Sequence, residues 1–217
     1  IDPDSIRIRM MSHTDRVRLL SVSYPPGEAA LVWNIYSEQA WQEKVRITYL
    51  LANIDRLVTY RALADQDETR LNLKSHLVLR NFSGEDFGAA RCVLGYGETF
   101  DTAIQHQETK RMLFFQKDGV PIEKEFVWDA AKKPHDPEKV NRAIGIPVSY
   151  VFENNEEAGL GEHVLWNGKA RVYQEDGHGS TIFLGEDRGD FTPVADKMKL
   201  YIGDTRDLIV TQRRMNS

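Results

Sequence analysis

Cysteine is almost absent: Cys92 is the single one among 217 residues. That excludes an internal disulfide and a thiolate-held metal cluster, so packing and hydrogen bonds must hold the fold. Long hydrophobic runs are missing too. No apolar stretch approaches the roughly 20 residues of a membrane-spanning helix, and Ile1 is not followed by the basic and apolar regions of a signal peptide. Nor is there a large excess of one charge. Lys and Arg number 28 against 33 Asp and Glu, for a net charge of −5 and a pI near 5.7. The basic residues are spread along the chain rather than gathered into runs, so no polyanion-binding face is expected and nucleic acid is not an expected partner.

What is there is period-two patterning, with 41% hydrophobic residues, enough for a core in one large sandwich or two small domains. Residues 5–10, 16–22, 29–36, 43–51, 70–81, 89–95, 109–115 and 147–153 read as strands, with more toward the C-terminus. In the fourth, Val45, Ile47, Tyr49 and Leu51 fall on one face, as a half-buried strand requires. In the fifth, Leu71, Leu73, Leu77 and Leu79 share a face through Ser75, leaving Asn72, Lys74, His76 and Arg80 opposite, with His76 expected in solvent. Cys92 alternates with Ala90 and Leu94, away from Arg91, as an inert core thiol would.

Ser83-Gly84, Asp118-Gly119, Asn167-Gly168 and Asp176-Gly177 separate these segments with residues that tolerate positive φ. Helical signal is confined to 38–42 and 136–143, the second with Pro137 in a first turn. The segment from Gln116 to Gly145 reads as one long irregular loop. The expected fold is therefore all-β: an antiparallel β-sandwich-like domain of hairpins and meanders with that loop.

Catalytic and metal signatures are weak. Glu186 and Asp187 are adjacent, so in a strand they point to opposite faces and cannot flank one glycosidic bond; Glu186 and Arg188 share a face and are expected to pair. Arg188-Gly189-Asp190 is a tripeptide common by chance. The six histidines are dispersed, and neither His106 with Glu108 nor His135-Asp136 has further ligands nearby in sequence. Residues 153–157 form an oxygen-rich turn without the spacing of an EF-hand. No Gly-x-Ser-x-Gly elbow occurs, and Gly95-Tyr96-Gly97-Glu98 is not followed by a helix. Asn81-Phe82-Ser83 matches a glycosylation sequon but reads as a strand-ending turn. No metal, cofactor or catalytic residue is assigned.

A series of short motifs carries a resemblance. Tyr49-Leu50-Leu51-Ala52-Asn53-Ile54 leads to Tyr60-Arg61 and to residues 81–87, then Phe152-Glu153-Asn154 precedes Gly159-Leu160-Gly161. Gly168-Lys169-Ala170-Arg171-Val172-Tyr173 is followed by Gly185-Glu186-Asp187-Arg188 and Thr192-Pro193. In this order they resemble the mucoidy inhibitor A family of uncharacterised bacterial proteins, over nearly all of 31–210. The resemblance implies a β-rich domain of unknown function over 25–217, the end of an N-terminal β domain over 1–24, and a fragment lacking parts of both flanking domains, including a further β-sandwich. It also implies a bacterial cell-envelope setting, periplasmic or surface-exposed, and a structural role for Gly185, Glu186, Asp187, Arg188, Thr192 and Pro193.

The expected function is a non-catalytic binding or scaffolding module with a protein or envelope partner. Candidate contacts are Phe126, Trp128, Lys132, Lys133 and His135 in the long loop, where aromatic residues would anchor an interface; the competing reading packs Phe126 and Trp128 on the core as a short strand. The alternative function is a carbohydrate-binding or carbohydrate-active domain acting on surface polysaccharide, which would need exposed aromatics and, for catalysis, two converging carboxylates.

Overall fold

Alternation that buries every second side chain produces two facing sheets. The structure, a computed structural model, describes residues 2–27, 30–129 and 144–210. A five-stranded sheet has the order β13 (Thr181–Gly189), β12 (Gly168–Glu175), β5 (Ile54–Ala64), β6 (Arg70–Asn81), β9 (Thr109–Pro121). A three-stranded sheet has the order β10 (Glu123–Phe126), β11 (Ile144–Glu153), β14 (Lys197–Val210). Val58, Tyr60, Ala62, Leu71, Leu73, Leu77, Ala170 and Val172 from the first meet Tyr150, Phe152, Met198 and Leu200 from the second in one core. The chain is thus an all-β, sandwich-like protein. Among the described residues all strand pairings are antiparallel but one: β5 and β12 run parallel, so the sheet is mixed.

Three two-stranded ribbons complete the described residues. β1 (Arg7–Met10) pairs with β4 (Val45–Thr48), β2 (Val17–Ser23) with β3 (Val32–Ser37), and β7 (Phe87–Val93) with β8 (Thr99–Ile104). The last joins the main core through Leu94 and Ile104, with Cys92 packed against it. Burial, and then the Asp101 charge, push the Cys92 thiol up, in keeping with the expected inert side chain. The first two ribbons cross the boundary expected at 24/25. β4 is not half-buried: Val45 and Ile47 are 42% and 46% exposed. A two-stranded ribbon with no layer packed on it has no face to bury.

Residues 38–42, expected to be helical, contain no helix: the Ser37 hydroxyl donates to the Gln39 carbonyl in a bend. The second helical expectation, 136–143, lies outside the described residues. The long irregular loop is also shorter than expected, because β9 runs to Pro121 and β10 occupies Glu123–Phe126. Asp118-Gly119, which has the sequence of a hairpin turn, is a bulge inside β9. Gly119 takes φ +69° and its N–H donates to Asn72 Oδ1 at 2.9 Å.

Candidate functional site

The five strands of the larger sheet present their alternate residues outward. Arg171 of β12 lies opposite Arg61 of β5, which lies opposite Lys74 of β6. One row along, Arg188 of β13 is opposite Lys169, and Lys169 is opposite Thr59. Arg111 of β9 is opposite Val78. Adjacent strands lie about 4.8 Å apart, so cations from five distant stretches of sequence form one basic face on a net-acidic chain. The carboxylates in the same phase on these strands are Asp55, Asp118, Glu175 and Glu186. Period-two projection gathers on this face cations that the linear sequence scatters.

Within that face, Glu186 accepts from Lys169 Nζ at 2.6 Å and Arg171 Nε at 2.9 Å. Those hydrogen bonds, Lys169 first, hold its carboxyl below the usual range. The expected Glu186 to Arg188 pair is therefore replaced by pairing across to β12, whose cations are directly opposite. Arg61 lies 4.9 Å from the centroid of Tyr173, and Arg111 approaches His76 Nδ1 at 3.2 Å. His76 is half-buried rather than solvated. Burial first, then the charges of Arg111 and Lys74, lower its pKa, so the ring is neutral and accepts the Arg111 N–H.

At one end of the face the sheet has a notch. Parallel pairing of β5 with β12 begins at Val58 opposite Gly168, and β13 ends at Gly189 opposite the same Gly168. Residues 54–57 of β5 therefore project beyond both strands. The resulting cleft, about 770 Å³, is lined by Arg56, Leu57, Thr59, Arg80, Asn167, Lys169, Glu186, Asp187 and Arg188. The Arg56 guanidinium sits 3.8 Å from the centroid of Trp166, a close cation–π contact. Tyr96 and Phe191 pack around that indole at 5.2 and 5.7 Å. The buried Tyr60 hydroxyl donates to the Trp166 carbonyl at 2.6 Å and fixes the wall from below. Burial, opposed by weaker hydrogen bonding, raises the Tyr60 pKa, so it remains a donor.

The charges of the cleft divide into held and free. Asp187 accepts the N–H of Tyr201 at 2.7 Å and of Arg188 at 2.8 Å, stitching β13 to β14, while Glu186 faces the β12 cations. The two adjacent carboxylates are thus committed to opposite directions, as expected. A general acid needs a raised pKa, and Glu186 has the opposite. Among the described residues, the guanidinium groups of Arg80 and Arg188 have no hydrogen-bond or ionic partner. Thr59 Oγ1 is buried without a partner. A guanidinium stays protonated near neutral pH and presents a fork of N–H donors that fits an oxyanion.

The other residues singled out from sequence are dispersed. Phe126 ends β10, 42% exposed with Lys124 Nζ 5.8 Å from its ring, and Trp128 is half-buried just beyond the strand; neither lines the cleft. Lys132, Lys133 and His135 lie outside the described residues. Gly185 packs so closely on β14 that a Cβ would meet the Ile202 carbonyl oxygen at 2.9 Å, and the carbonyls of Thr192 and Pro193 accept from the buried Asn154 amide. The sequon residue Asn81 is fully buried, donating to the Glu85 carbonyl at 2.8 Å. His106 Nδ1 accepts from the Gly84 N–H and Glu108 from the Gln105 N–H. Among the described residues no group of His, Cys, Asp and Glu could hold a metal ion.

Sequence reasoning missed Arg56 and Trp166, met Arg80 only as one residue of an outward strand face, and met Lys169 and Arg171 only as parts of a motif. The signal was the phase of alternation in β5, β6, β12 and β13 together, which requires knowing that these strands are neighbours. Compared with known proteins, the chain matches no family model, no curated protein and no solved structure.

Proposed function

We propose that this chain is a non-catalytic binding module that docks a negatively charged partner on the outer face of its five-stranded sheet. The observation that carries this reading is the convergence of Arg61, Lys74, Arg111, Lys169, Arg171 and Arg188 on one face of a protein whose net charge is −5. Such segregation costs self-repulsion and serves to attract and orient an opposite charge. The setting implied by the mucoidy inhibitor A resemblance makes a bacterial envelope component the partner. Nucleic acid is disfavoured, because the face carries no helix to enter a groove. Sugar hydrolysis draws no support from Glu186 and Asp187, both engaged elsewhere.

Retention on immobilised poly-L-glutamate tests the reading. The wild-type chain is expected to bind at low salt and elute as salt rises, and the Arg61→Gln, Lys74→Gln, Arg111→Gln triple variant to elute at clearly lower salt while unfolding at an unchanged urea midpoint. Wild-type flow-through at low salt, or a triple variant that elutes where the wild type does, would overturn it.

A further inference from the structure

We propose that the notch beside the start of β12 is an oxyanion subsite, which takes a phosphate or carboxylate group of an anionic ligand between Arg80 and Arg188. The proposal rests on the reading above for the sign of the ligand's charge, and adds where a charged group is seated and by what chemistry.

Every other charged group of the notch is already committed. Glu186 is held by Lys169 and Arg171, Asp187 by two backbone N–H groups, and Arg56 by the face of Trp166. Two guanidinium groups remain without hydrogen-bond or ionic partners along one cleft, Arg80 lying across the strand pair from Asp55. A guanidinium presents paired N–H donors in a rigid fork that matches the two oxygens of a carboxylate or phosphate. Chloride offers no such match.

The notch also has a fixed shape. The volume of about 770 Å³ lies within the range of small-molecule sites, roughly 300 to 1,000 Å³. One wall is held in place by the Tyr60 to Trp166 hydrogen bond and by the close approach of Gly168 to Val58, so the backbone there needs no ordering on binding.

The test is a titration of the full ¹⁵N-labelled chain with sodium phosphate and, separately, with sodium glucuronate, at constant ionic strength kept with chloride. Saturable shifts of the Leu57, Asn167, Gly168 and Lys169 amides with either probe are expected, and the probe that saturates identifies the ligand group as a phosphate or a carboxylate. The Arg80→Gln, Arg188→Gln double variant should bind at least tenfold more weakly. Both side chains are exposed and unpartnered, so this variant should fold as the wild type does. Lys74→Gln, Arg111→Gln, which alters the same face outside the notch, should change the affinity less than twofold. Absence of saturation with both probes, or equal losses in the two double variants, would overturn the subsite. Retention on poly-L-glutamate separates the proposals: if it persists while neither probe saturates, the subsite falls and the docking face stands.

Discussion

The side-chain amide of Asn154 donates to the backbone carbonyl of Thr192 at 3.3 Å, joining segments 38 residues apart in sequence. The same nitrogen reaches the carbonyls of His163 at 3.0 Å and Pro193 at 3.1 Å, while Oδ1 accepts the Gly161 N–H at 3.1 Å. Asn154 is fully buried, so none of these groups has water as an alternative. Leaving buried polar groups unpaired costs roughly 1–3 kcal/mol each. Asn154→Ala should therefore lower the unfolding free energy by about 3–5 kcal/mol, measured by urea denaturation. Asn154→Asp should cost at least as much, because a carboxylate would face three carbonyl oxygens. A loss below about 1 kcal/mol for the alanine variant would show that the knot relaxes without it.

Gly168 makes the parallel pairing possible. A Cβ there would lie 2.2 Å from the Val58 carbonyl oxygen and 3.2 Å from the Tyr60 ring. Both are backbone or core groups that cannot swing away. Gly168→Ala should thus destabilise by about 3 kcal/mol, at the upper end of overpacking effects, and should shift the amides of Thr59 and Tyr60 where β12 joins β5. Gly84→Ala offers the contrast: it has φ +90° but no atom within 4 Å of the added carbon, so its penalty should be backbone strain of about 1 kcal/mol. Equal effects at both sites would refute the steric account.

Glu43 gives the N-terminal ribbons a pH dependence. Burial opposes its charge, but N–H groups of Met11, Ser12 and His13 and the His13 ring all bond its carboxylate. The net effect lowers its pKa from 4.5 to about 2. A depressed carboxylate pKa contributes stability that is fully present above the unfolded value, near 4.5, and is lost as pH falls toward 2. The Glu43 side-chain carbon should accordingly titrate well below pH 4, and Glu43→Gln should remove the acid-range loosening of the Met11, Ser12 and His13 amides. Titration near 4.5 would break this explanation.

How much of this was legible in the sequence differs from strand to strand. Both ends of β6 could be read, because Leu71 to Leu79 alternate without a break and Ser83-Gly84 follows. β5 was passed over: its buried face is Val58, Tyr60, Ala62 and Ala64, and alanine carries little hydrophobic signal. Alternation in β4 could not reveal that no second layer covers Val45 and Ile47, which stay exposed like their neighbours. The Gly168 motif was visible, yet its meaning was not, since Asn-Gly in a sequence indicates a turn and only the pairing with β5 shows a close approach. The basic face was invisible for the same reason, as each strand donates one or two cations and only the strand order sums them.

Glu186 makes the docking surface testable in the direction of gain. Its carboxylate neutralises Lys169 and Arg171 at the border of the notch, so it competes with any incoming anion for those two cations. Glu186→Gln keeps the shape and one acceptor oxygen but removes the charge. All three side chains are exposed, and exposed ion pairs contribute little to stability, so the urea midpoint should stay where it is. Retention on poly-L-glutamate should instead strengthen, with elution shifted to higher salt, and the added retention should vanish when Lys169→Gln and Arg171→Gln are introduced with it. A Glu186→Gln variant that elutes earlier than the wild type would mean that this carboxylate positions the cations for the partner instead of restraining them.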